Sequence, residues 1–234
     1  MNPPRQTPFI EQWHPGLSCC DPTWEAAYQR LETPEAERRK FRKRLVKLGA
    51  LNWPRDSVVV ELFCGRGNGL KTLTSLGFQS LSGVDLSETL LRKYEGPARL
   101  FLGDCRDLKF PDRSIHVVVV QGGLHHLPDL PADLEKTLRE IRRVLRPAGR
   151  IVLVEPWNTP FLRMVHWCCN RAMARRCWGK LDALATMIER ERATYENWLG
   201  RPQQILDLLQ GHFVPEQQSI SWGKLGFVGH PREF

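Results

Sequence analysis

Val58-Val59-Val60-Glu61-Leu62-Phe63-Cys64-Gly65-Arg66-Gly67-Asn68-Gly69 is an apolar run that breaks into a glycine-rich loop. Three valines in a row followed by such a loop predict a strand buried on both faces and a tight turn that opens a helix. Glycines at such a turn accept dihedrals closed to other residues and let the backbone approach a ligand closely. Their spacing, Gly65-x-Gly67-x-Gly69, is neither the G-x-G-x-x-G that seats a pyrophosphate on a helix nor a phosphate-binding G-K-[ST] loop.

Working outward, the same rhythm repeats. Short Val-, Leu- and Ile-rich runs at Val58 to Phe63, Gln79 to Val84, Ala98 to Leu102, Ile115 to Val120 and Arg150 to Val154 are each followed by a turn or a helical pattern. Leu134, Leu138, Ile141, Val144 and Leu145 form a helical apolar stripe stopped by Pro147 and Gly149. Strands alternating with helices predict an open α/β sheet, Rossmann-like and mostly parallel, with helices on both faces. Ligands of such sheets bind in the crevice at the carboxyl ends of the strands. Two carboxylates fall there. Asp85, in Gly83-Val84-Asp85-Leu86-Ser87, can accept both hydroxyls of a ribose, and Asp104, in Gly103-Asp104-Cys105, can accept from an adenine amino group. Each alone is equally well a strand-end cap, because acidic residues favour turns.

The ordered series Glu61-Leu-Phe-Cys-Gly-Arg-Gly-Asn-Gly, Gly83-Val-Asp-Leu-Ser, Gly103-Asp-Cys, Gln121-Gly-Gly-Leu-His-His-Leu-Pro-Asp and Leu138-Arg-Glu-Ile-Arg-Arg-Val-Leu-Arg-Pro-Ala-Gly-Arg resembles the class I S-adenosylmethionine-dependent methyltransferases of the type 11 group. The likeness covers about residues 57 to 156. It implies a seven-stranded sheet and S-adenosylmethionine as cofactor. Gly65 and Gly67 would line the methionine end and Glu61 would support its amino group. Asp85 and Leu86 would take the ribose, Asp104 and Cys105 would flank the adenine, and Gln121 would close the pocket. Ala148 stands where glycine is usual and His116 where aspartate is usual, at positions not expected to touch the cofactor.

His125 and His126 lie just past the fourth strand, where the acceptor would enter. Imidazole titrates near working pH, so either could remove a proton from the acceptor, with Glu155 orienting it. The plainer alternative is that one histidine packs and the other caps a turn.

The rest of the chain sets bounds. Its 234 residues suffice for one domain. We divide it into an N-terminal arm and helices (1–56), a cofactor-binding core (57–156), a helical, aromatic-rich insertion resembling a lid (157–200), and a closing helix and strand pair (201–234). Helix starts are marked by Asp21-Pro22 and Thr33-Pro34. No apolar run approaches the roughly 18 residues of a membrane span, and the first residues carry no secretory pattern, so a cytoplasmic protein is expected. Seven cysteines without a C-x-x-C suggest reduced thiols. His166, Cys168, Cys169 and Cys177 match no zinc spacing, and no metal is expected.

The net charge of +8 favours anionic partners. Its densest run, Arg38 to Lys47, has Phe41, Leu45 and Leu48 at helical spacing and reads as an amphipathic helix with a solvated basic face. The leading expectation is in-line methyl transfer to a small-molecule acceptor enclosed by the insertion. An RNA methyltransferase, or a non-catalytic S-adenosylmethionine-binding regulator, is the alternative. A nicotinamide dehydrogenase is opposed by the glycine spacing.

Overall fold

The structure is a computed structural model that describes residues 8–14, 16 and 21–232; Cys19 and Cys20 lie outside the described residues. Helices α1 (Pro22–Leu31) and α2 (Pro34–Lys47) begin where the caps predict. Asp21 accepts the N–H groups of Thr23 and Trp24 at 2.6 and 3.2 Å, and Thr33 accepts that of Ala36 at 3.3 Å. Of the basic run, Arg39, Lys40, Arg42, Lys43 and Lys47 are exposed while Leu45 is buried, as an amphipathic helix requires.

Strands β1 (Ile10–Gln12), β2 (Val59–Leu62), β3 (Leu81–Asp85), β4 (Arg99–Leu102), β5 (Ile115–Gln121), β6 (Leu145–Pro156), β7 (Phe213–Ser221) and β8 (Lys224–Pro231) form one sheet in the order β1-β4-β3-β2-β5-β6-β8-β7. All pairs are parallel except those of β8 with β6 and β7. The sheet has eight strands, one more than expected. The addition is β1, a three-residue segment of the arm that pairs with β4 from Ile10↔Leu100 to Gln12↔Leu102. Trp13 fixes this edge by lying 4.4 Å from the ring of Phe101 and 4.9 Å from that of Phe110. So short a run carries no alternation from which a strand can be read.

Side chains of the central strands alternate between two cores, as the pleat demands. Val60, Leu62, Val118 and Val120 join one cluster with Leu134, Leu138, Ile141 and Val144 of helix α5 (Ala132–Val144). Val59, Val117 and Val119 join the other with Leu70 and Leu73 of helix α3 (Asn68–Ser75). The four α5 residues are fully buried, each contributing about 1.5–3 kcal/mol. That helix stops at Val144 rather than running to Pro147. β6 takes over at Leu145, and the register shifts so that Leu145 pairs with Ile115 and Arg150 with Val117. His116, the departure from the family pattern, accepts the Val58 N–H on Nδ1 at 2.9 Å and so stitches β5 to the chain entering β2.

The insertion comprises α6 (Pro160–Cys169), α7 (Ala172–Cys177), α8 (Gly179–Arg190) and α9 (Arg192–Leu199), followed by α10 (Pro202–His212). Its aromatics divide. Trp157, Tyr195 and Trp198 are buried, with Trp198 Nε1 donating to the Pro156 carbonyl at 2.8 Å, whereas Phe161, Trp167 and Trp178 face solvent. Among the described residues no helix is long and apolar enough to cross a membrane.

Candidate active site

The strand order places β3 and β5 on either side of β2, so the loops leaving β2 and β5 part over a crevice at the carboxyl edge. The glycine loop lines it. Gly67 sits at φ +74°, and a Cβ there would collide with the ring of Tyr94; a Cβ at Gly69 would collide with the Glu61 carboxylate. Sequence predicts the glycines from turn chemistry, and packing supplies this second reason. The loop is also pinned from α2: Glu37 accepts from Arg66 Nη2 at 2.9 Å, Asn68 Nδ2 at 2.5 Å and the Tyr28 hydroxyl.

Asp85 ends β3 with both oxygens engaged by backbone, Oδ2 by Gly65 N–H at 2.7 Å and Oδ1 by Ser87 N–H at 2.8 Å. Each oxygen keeps a second lone pair, and Leu86 beside it is half-buried. Burial raises the Asp85 carboxyl above its usual range, while those two N–H groups hold it down. Glu61 is buried, and among the described residues its Oε2 has no hydrogen-bond partner; neither has the amide nitrogen or oxygen of Gln121 at the end of β5. Burial pushes Glu61 up to about 8, moderated by the neighbouring Gln121 amide. Unsatisfied buried polar atoms are rare in native proteins, and three in one crevice mark a place built for a polar ligand.

Asp104 ends β4 differently from expectation. Its oxygens hold Arg106 through Nε, at 3.0 Å to each, and through Nη2 at 2.6 Å, and Arg106 continues to Asp133 at 2.8 Å. Burial opposes its ionisation, and the Arg106 guanidinium outweighs burial to hold the carboxyl below its usual range. Little acceptor capacity is left for another donor. Cys105 is buried, with its thiol 3.6 Å from Thr137 Oγ1 and pushed up to about 12 by burial, so it is an inert wall.

Past β5 a 3-10 turn, Leu124–His126, carries both histidines. Glu155, fully buried at the end of β6, accepts the N–H groups of Gly123 and Leu124 on Oε1 at 2.8 and 2.9 Å. Its Oε2 lies 2.8 Å from His125 Nδ1. Glu155 therefore orients His125, one of the two histidines that the sequence offers it. His126 has a partner that sequence did not reveal. Its Nδ1 is 3.0 Å from Glu191 Oε2, at the α8–α9 junction, and Trp24 Nε1 of α1 donates to the same oxygen at 2.9 Å. Nothing in Glu191's own surroundings marks it, since it is one charge in a helical stretch rich in charges.

The two rings differ in state. Burial and the neighbouring His126 lower His125 despite Glu155. Burial also acts against charge on His126, but Glu191 outweighs it and holds the ring above its usual value. One ring nitrogen of each of His125 and His126 and a Glu191 oxygen lie within 4.8 Å of one another, a spacing a divalent cation could bridge. His126 and Glu191 also satisfy one another directly, and His125 is held by Glu155, as in a proton-handling network. By contrast His166, Cys168, Cys169 and Cys177 are not gathered: His166 meets the Tyr195 hydroxyl at 3.2 Å and Cys177 is exposed. Arg190 to Asp21 at 3.5 Å and Arg30 to Asp182 at 3.3 Å tie the insertion to α1 beside the Glu191 contact.

Residues 60–153 match the methyltransferase domain family. The chain is 27% identical over 127 residues to a demethylmenaquinone methyltransferase of Bacillus licheniformis, covering 51% of this chain and 52% of that one. It is 29% identical over 172 residues to a 2-phytyl-1,4-naphtoquinone methyltransferase of Synechococcus elongatus, covering 62% of this chain and 70% of that one. Thus it spans little more than half the length of the Bacillus relative. In fold it is similar to the PH0226 protein of Pyrococcus horikoshii, with a TM-score of 0.68 at 18% identity over 91% of this chain and 100% of that one. Residues 60–153, with the glycine loop, strand-end carboxylates and sheet order that surround them, thus form a methyltransferase domain of the type 11 group.

Proposed function

We propose that this protein transfers a methyl group from S-adenosylmethionine to a small-molecule acceptor, with His126 as general base. The observation that carries the cofactor half is the set of unsatisfied buried atoms on Glu61 and Gln121 beside the glycine loop. They suit the charged amino-acid end of the cofactor. Asp85 would hold the ribose hydroxyls with Leu86 against them. Cys105 and the Asp104–Arg106 pair would wall the adenine, with Asp104 acting through Arg106 more than directly. Gly65 and Gly67 keep the backbone near the sulfonium end. When bound, the cofactor supplies an activated methyl group for in-line displacement.

The protein's task is then alignment and proton removal. Alignment of reacting atoms is worth roughly 7–11 kcal/mol, and a general base about 10²- to 10⁴-fold. His126 bonds Glu191 through Nδ1, which fixes the tautomer with the proton on that nitrogen and leaves Nε2 to accept a proton from the acceptor. Glu191 stabilises the imidazolium that forms. His125, locked on Glu155 and less exposed than its neighbour, is a positioning residue that holds the turn. Trp24, Tyr28 and Tyr195 offer apolar surface around these groups, which suits a compact acceptor with an ionisable hydroxyl, amine or carbon acid. Two relatives are named for quinone acceptors, and a 2-substituted 1,4-naphthoquinone, in its reduced phenolic form, is the first compound to try.

Incubation with methyl-labelled S-adenosylmethionine and a panel of reduced 2-substituted 1,4-naphthoquinones, phenols and amines tests this. The expected result is label in an organic product, lost in His126→Gln. Cofactor binding with no labelled product from any small molecule or RNA would instead favour a non-catalytic binder, and label in RNA alone would move the acceptor class.

A further inference from the structure

Helix α6 is apolar on two faces. Val165, Cys168 and Cys169 turn inward against Leu181 and Ala185 of α8. Phe161, Met164 and Trp167, at i, i+3 and i+6 and so on one face, turn outward at 38%, 54% and 59% exposure. Trp222, at the tip of the β7–β8 turn and 77% exposed, extends this face with its ring edge-on to Phe161 at 5.1 Å. Met173 and Trp178 follow at 80% and 61%. Six of the ten large apolar side chains exposed among the described residues thus belong to this insertion and the adjoining turn. Scattered single apolar residues need no explanation, but such clustering does.

The charge on this segment itself has one sign. Between Pro160 and Leu181 the chain has Arg163, Arg171, Arg175, Arg176 and Lys180 and not one Asp or Glu. Arg175 is spent on Asp182 and Glu189, and Lys180 lies 3.8 Å from Glu32. Arg163, Arg171 and Arg176 remain at the surface, and the Arg171 guanidinium lies over the Trp167 ring at 4.6 Å. Tryptophan, phenylalanine and methionine tips among arginines form the pattern of a segment lying in the interface of an anionic bilayer, with apolar tips below the headgroups and guanidinium groups among the phosphates. A second copy of the chain would bring like charges together.

We propose that the α6–α7 face and the Trp222 turn dock the protein peripherally on a membrane surface bearing anionic lipids. The same insertion carries Glu191, the partner of His126, so docking would bring the acceptor side of the crevice to the bilayer. The docking itself does not depend on which acceptor is methylated.

Co-sedimentation of the full chain with vesicles of phosphatidylcholine alone, and of phosphatidylcholine with phosphatidylglycerol, tests the proposal. Binding to the anionic vesicles is expected to be about tenfold or more tighter, to weaken with salt, and to shift tryptophan emission to the blue. Trp167→Ser with Trp222→Ser should lose the shift and most of the binding. Arg171→Glu with Arg176→Glu, at exposed positions where folding is not at stake, should abolish the preference for anionic lipid. Failure of the wild type to bind either vesicle, or binding untouched by both variants, would overturn it. So would a dimer in light scattering that the tryptophan variant dissolves, or capture of single-stranded RNA through these residues without vesicle binding.

Discussion

The two halves of the crevice are built by different means. The half proposed for the cofactor is assembled from consecutive strand ends: Glu61 and the glycine loop after β2, Asp85 after β3, Asp104 after β4 and Gln121 at the end of β5. The half proposed for the acceptor is assembled from distant parts, with Trp24 of α1 and Glu191 of the insertion converging on His126 across separations of 167 residues for their own bond and 65 for the pair with His126. One half is a property of a local pattern repeated along a parallel sheet, and the other of tertiary packing. Separable effects on binding and turnover should follow.

The largest effect expected is on turnover alone. His126→Gln should lower kcat by about 10²- to 10⁴-fold with cofactor affinity unchanged, measured by labelled-methyl transfer and calorimetry. A parallel loss of cofactor binding would erase the distinction between the halves. Next, Gly67→Ala forces a non-glycine residue to φ +74° and a methyl group into the Tyr94 ring, and should destabilise the fold by roughly 2–4 kcal/mol in denaturant titration. Asp85→Ala should weaken S-adenosylhomocysteine binding about tenfold or more, the loss of a charge-assisted hydrogen bond worth roughly 1.5–3 kcal/mol.

The pH dependence should separate the halves again. The base role proposed for His126 requires the neutral ring, and Glu191 holds its pKa above 6.5, so kcat should rise with pH through a midpoint above that value. Glu191→Gln should bring the midpoint down. For stability the sign is opposite. A raised histidine pKa makes the His126–Glu191 pair fully stabilising below 6.5 and progressively weaker as pH rises through the folded value. The smallest effect concerns Glu61, whose carboxyl burial pushes up to about 8. At neutral pH it is largely protonated, and the cationic end of the cofactor should drive the proton off. Binding enthalpy below pH 8 should then vary with the ionisation enthalpy of the buffer. If prolonged chelation abolishes turnover and added divalent metal restores it, His125, His126 and Glu191 hold a cation rather than relay a proton.

What was legible in the sequence follows the same division. Four strand runs, both proline-led helices and the closing pair stand close to where the sequence places them, and the fifth run is the core of a longer strand that begins at Leu145, because burial on two faces leaves an unbroken apolar run and burial on one leaves a stripe. That Glu155 meets one of the two histidines was legible too, because these groups lie at the ends of neighbouring strands, but that it meets His125 rather than His126 was not. β1 was not, since its three residues gain strand character only from the edge of β4 and the stacking of Trp13. Asp104 shows a subtler limit: Arg106, two residues on, satisfies it, and nothing in spacing says whether a strand-end carboxylate faces a ligand or its own neighbour. Glu191, Trp24 and Glu37 act through contacts between elements, for which no local pattern exists.

Calorimetric titration of the purified chain with S-adenosylmethionine, S-adenosylhomocysteine and NADH tests the central claim most directly. Saturable binding of the first two, diminished in Asp85→Ala and preserved in Glu191→Gln, with none of NADH, is the expected result. Binding of NADH alone, or of neither adenosyl compound by the folded protein, would contradict it.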